Sequence, residues 1–104
     1  MVKVNITYDN KVVNKVTLKG HSGYDMVGKD IVCSSISSIV ITTVNGIISL
    51  YDESAISSNY LNDCLTIEIL KNNEIIDKLI INMINLLKEL EKQYKKNIEI
   101  KEVY

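Results

Sequence analysis

Hydrophobic and polar residues alternate from the start of the chain. Val2, Val4, Ile6 and Tyr8 are separated by Lys3, Asn5 and Thr7, which is the period of a half-buried strand. Asp9-Asn10 predicts a turn, and Val12 to Leu18 predicts a returning strand with weaker alternation. Gly20 to Lys29 has no apolar period and holds three glycines, so it reads as a flexible loop. From Asp30 the step lengthens. Val32, Ile36, Ile39, Val40, Thr43, Ile47 and Leu50 recur every three or four residues, as on one face of a helix. Many of these residues are β-branched and form helices poorly, so a strand over "IVITTV" competes. The length of the run and its scattered serines favour a buried helix. Asp30 suits the N-cap, where a carboxylate accepts the free N–H groups of the first turn.

The second half repeats the pattern. Tyr51 to Ser58 is a polar connection, Asn59 to Leu61 a short strand and Asn62-Asp63 a turn. Leu65, Ile67 and Ile69 alternate with Thr66 and Glu68 in a further strand. Asn72-Asn73 opens a second helix with the stripe Ile76, Leu79, Ile80, Met83, Leu87, Leu90 and Tyr94. Ile98 and Ile100 give a last strand. The order β–β–α–β–β–α–β predicts an α/β (α+β) fold. Its expected form is a two-layer sandwich, a mostly antiparallel sheet with two helices, in a single domain over residues 1–104. The first helix is apolar on more than one side, which fits either a buried helix or a surface shared with a second subunit.

Composition narrows the function. All six aromatic residues are Tyr, so the core must be aliphatic. The net charge of −1 and the short Lys95-Lys96 run argue against direct nucleic-acid binding. The alternating N-terminus is not a signal peptide, and no apolar stretch reads as long and uninterrupted enough to span a bilayer. The expected location is cytoplasmic, without a membrane partner, where two cysteines are reduced rather than bridged.

The chemistry concentrates in "GHSGYDMVGKDIVCSS". Cys33 falls in the first turn of the predicted helix, where unpaired N–H groups and the helix dipole favour negative charge. The thiolate is the nucleophile, and the Cys33 N–H is a candidate donor to an oxyanion. His21, the only histidine, is the available base. The pair is twelve positions apart, which permits contact without requiring it. Asp30 is a cap, a partner that orients His21, or both. Ser37 lies one turn beyond Cys33 on the same face, either as a supporting hydrogen-bonding group or as a small residue at a packed surface. Gly20, Gly23 and Gly28 supply turn conformations or a mobile gate. By their place in the loop, Tyr24 and Met26 are candidates to contact an aromatic side chain.

By spacing alone, Cys33 is more often a small buried hydrophobe and His21 a solvated loop residue. No metal is expected: His21, Cys33, Cys64 and a carboxylate lack the paired spacing of a zinc site. No other cofactor is implied, and Cys64 reads as incidental.

"GHSGY" followed by "GKDIVCSSIS" resembles the signature of the bacterial ribosomal-processing cysteine protease family, Prp. The likeness extends along the chain, while its specific motif occupies Gly20 to Ser37. It implies Cys33 as nucleophile and His21 as base, with Asp30 and Ser37 in support, a homodimer and a loop that covers the site. It also implies an endopeptidase that removes the N-terminal extension of a large-subunit ribosomal protein, number twenty-seven, during ribosome maturation. The family is richer in alanine and glycine where this chain has Ser34-Ser35-Ile36. The alternative is a non-enzymatic ribosome-associated binding module, which would place the same loop on a partner and need no thiolate.

Overall fold

In the computed structural model, residues 1–26 and 29–104 are described. Strands β1 (Val2–Asp9) and β2 (Val12–Lys19) form an antiparallel hairpin. Its turn residues, Asn10 and Lys11, both have positive φ (51° and 68°), as the tight primed turns that match strand twist require. The weak alternation of β2 has a physical cause. Thr7 faces Lys15 but Tyr8 faces Val13, leaving Asn14 as an extra residue. This bulge resets the side-chain parity, so Val13 and Val16, three apart, are both buried.

Helix α1 (Ile31–Leu50) starts at the predicted cap, with Asp30 accepting from the Val32 and Cys33 N–H groups. It buries Val32, Ile36, Val40, Val44 and Ile47. Leu50, expected on that stripe, is 61% exposed, and Val44 fills the inner face instead. Strand β3 (Ile56–Leu61) begins before the expected Asn59. Ser57, Ser58 and Asn59 hide it from a reading by hydrophobicity, because it is an edge strand exposed along nearly all its length. Strand β4 (Cys64–Ile69) pairs with it around Asn62-Asp63. Helix α2 (Glu74–Gln93) is capped by Asn73, whose side chain accepts from the Ile76 N–H. Strand β5 (Ile98–Val103) completes the sheet.

The sheet order is β3-β4-β2-β1-β5. Three neighbouring pairs are antiparallel and β1–β5 is parallel, reached through the α2 crossover. Inward-facing Val4, Ile6, Val16 and Ile67 meet Ile47 of α1 and Ile80, Met83 and Leu87 of α2 in one aliphatic cluster. Each such side chain contributes roughly 1.5–3 kcal/mol by leaving water.

One expectation needs correction. At 20 residues and a mean hydropathy of 1.9, α1 does have the length and composition of a bilayer span. Its five buried residues pack into the cluster, so much of that hydropathy belongs to a core helix. Ile31 and Ile41 nevertheless remain more than half exposed.

Candidate active site

The β2 ladder delivers His21. Lys19 pairs with Cys64, and the next residue, Gly20, donates its N–H to the Asp63 carbonyl at 3.2 Å. Gly20 has φ +97°, and a Cβ there would lie 2.8 Å from the Met1 carbonyl oxygen. This glycine therefore serves a close approach between β2 and the chain start. Gly23 also has positive φ (71°), whereas Gly28 lies outside the described residues.

Asp30 organises the loop and the helix start together. Its Oδ1 accepts from Val32 and Cys33 N–H, both at 2.9 Å. Its Oδ2 accepts from the Ser22 hydroxyl and from the Tyr24 N–H at 3.1 Å. Burial would push this carboxyl up. The Ser22 hydroxyl and the N–H groups of Cys33, Asp25 and Tyr24 outweigh burial and hold it down at about 2. Asp30 is thus an ionised cap whose oxygens are saturated.

Two consequences revise the sequence reading. The Cys33 N–H, expected to await an oxyanion, is already donated to Asp30. The adjacent Ser34 N–H goes to the Asp30 carbonyl at 3.1 Å. The carboxylate facing His21 is Asp63, with Nε2 to Oδ1 at 3.8 Å, while Asp30 is spent on Ser22 and backbone N–H groups.

Ser22 was passed over by sequence reasoning although it lies within the motif. It is buried, and its N–H points at the Cys33 sulfur at 3.4 Å. That contact sets the positive end of a peptide dipole against the thiol sulfur. Asn97 was also missed. Its amide donates to the Ser22 carbonyl at 2.9 Å from 75 residues away in the chain, a distance that no local pattern could reveal.

His21 and Cys33 line one cavity of about 430 Å³ between α1 and the sheet, together with Leu18, Ile36, Val40 and Tyr60. They also line an adjoining, more polar cavity with Asp25, Asp30 and Ser37. Ser37 borders both, beside Cys33. Cys33 is half-buried and His21 exposed. Tyr24 is partly exposed, and its ring meets Tyr94 edge-on at 5.4 Å; Met26 is exposed. The arrangement offers a cleft with a thiol, an imidazole and an N–H donor at the sulfur, as acyl transfer requires.

The sequence matches the model of the family described as Cysteine protease Prp over residues 1–99. The ribosomal processing cysteine protease Prp of Staphylococcus aureus is 31% identical over 104 residues, with 96% of this chain and 97% of that protein covered. The fold matches a crystal structure of the S. aureus protease with a covalently linked product peptide. Its TM-score is 0.90 at 27% identity, covering 98% of this chain and 99% of that one. A second S. aureus structure, with a substrate peptide, matches at a TM-score of 0.84 over the same shares, also at 27% identity.

Proposed function

We infer the function from one premise: this chain belongs to the cysteine protease Prp family. We propose that Cys33 is its nucleophile and His21 its base. The proposed substrate is the N-terminal extension of a large-subunit ribosomal protein, number twenty-seven, cleaved during ribosome maturation. The observation that carries this reading is the shared cleft, in which Cys33 and His21 face one cavity and the Ser22 N–H meets the sulfur.

His21 takes the thiol proton as sulfur attacks the scissile carbonyl carbon and its electrons move to oxygen. The C–N bond then breaks, and the amine leaves with the proton from His21. Water, deprotonated by His21, opens the acyl-enzyme and restores the thiol. Asp30 holds the Cys33 N–H, and the Ser22 N–H, which meets the sulfur, is the donor placed to stabilise the thiolate before attack. The working form we propose is a cytoplasmic homodimer.

The test is incubation with the extended ribosomal protein, followed by mass spectrometry of the new N-terminus. Cys33→Ala should abolish cleavage. His21→Ala should lower turnover about 100-fold or more while the peptide still binds. An extension left intact by the wild-type protein would remove the substrate assignment, and wild-type cleavage by Cys33→Ala would remove the nucleophile.

A further inference from the structure

Asp63 is drawn to the site by backbone geometry that is independent of its side chain. The β2–β4 register sets Lys19 opposite Cys64, and the Gly20 N–H binds the Asp63 carbonyl. The residue before His21 is therefore tied to the β3–β4 turn. Asp63 sits in that turn at φ 58°, and its Oδ1 faces His21 Nε2 at 3.8 Å. The Tyr60 hydroxyl donates to the same oxygen at 3.2 Å, which restrains the carboxylate from behind. All three side chains border the cavity that holds Cys33.

We propose that Asp63, held by Tyr60, is the positioning residue for His21 in this protease. Its carboxylate draws Nε2–H toward the β3–β4 turn, so that Nδ1 is the nitrogen left to exchange the proton with Cys33. Resting as it does on the cysteine protease reading, it adds a third member to the site from a part of the chain far from the motif. The other charged and titratable groups around His21 do not compete for this role. Asp30 is saturated by Ser22 and backbone donors, Asp25 accepts from the Met26 N–H, and Cys33 is the reaction partner. Asp63 and His21 are both about two-thirds exposed, so water screens the pair and the effect is modest rather than the several orders of magnitude of a buried carboxylate.

Asp63→Asn keeps the turn, because asparagine also accepts the left-handed conformation, and removes only the charge. With a synthetic peptide spanning the ribosomal protein extension, kcat should fall about five-fold at unchanged KM. Asp63→Glu should restore part of the rate, and Tyr60→Phe should give a smaller loss in the same direction. A substrate-free readout uses the chain's single histidine: the imidazole nitrogen NMR shifts, which report the ring nitrogen that carries the proton, should show less of the Nε2–H form in Asp63→Asn than in wild type. Unchanged kcat and an unchanged tautomer signal would overturn the proposal, as would a change confined to KM, which would make Asp63 a peptide contact. Failure of wild-type cleavage would instead count against the substrate assignment, and the NMR comparison would still decide the role of Asp63.

Discussion

At Asp30, one carboxylate fastens the start of α1 to the loop that carries His21. Removing it exposes several dependencies at once. Asp30→Ala should lower stability by about 1–2 kcal/mol through loss of the cap, read as a lower midpoint in denaturant, and should cut turnover by freeing the Cys33 N–H and the Ser22 hydroxyl. The pH dependence follows from the same contacts. The folded carboxyl titrates at about 2, below its usual 3.8. Its contribution is therefore fully present above about pH 4 and is lost as pH falls toward 2. Asp30→Asn should flatten that part of the acid unfolding curve. The cap itself was legible in the sequence, since an aspartate directly precedes a helical period. Its grip on Ser22 and Tyr24 was not, because it depends on how the loop turns back at Gly23. Asp63 was equally hidden, since a turn residue becomes a neighbour of His21 only after β2 and β4 have paired.

The elements were more legible than their ends and their partners. Strand β1 and helix α2 declare themselves because one face of each is buried and the other wet. The bulge in β2 and the polar edge strand β3 weaken that signal for structural reasons already visible in their registers. Helix α1 shows a different compromise. Gly46 lies in its interior, where an added Cβ meets no atom within 4 Å. Gly46→Ala should therefore raise stability by about 0.5–1 kcal/mol, measured as a higher thermal midpoint. Gly20→Ala should do the reverse, since positive φ and the Met1 carbonyl both oppose a side chain. Its predicted signature is a loss of turnover accompanying the loss of stability, because His21 is the next residue.

At the scale of the whole molecule, the sheet order brings distant parts of the chain to one site. Parallel pairing of β1 with β5 sets Val2 opposite Ile98, and the Val2 N–H binds the Asn97 carbonyl at 2.8 Å. Asn97 then reaches Ser22, while Tyr94 packs on Tyr24. The active-site loop thus rests on the α2–β5 junction. Asn97→Ala should reduce turnover more than it reduces stability, since the lost bond, worth about 1 kcal/mol, holds the carbonyl of the residue whose N–H meets the sulfur. Comparing activity with the denaturation midpoint checks this.

The bond from Asn97 to Ser22 also sets an order of events during synthesis. A ribosome adding roughly 5–20 residues per second makes the second residue about 4–15 s after the first, given their separation of 75 positions. Once Cys33 has followed Ser22 by 11 positions, the nascent chain carries its thiol and its imidazole but still lacks the anchor for the backbone between them. Peptidase activity should therefore appear only once β5 has docked, which gives the young protein a built-in delay before it can cut its surroundings.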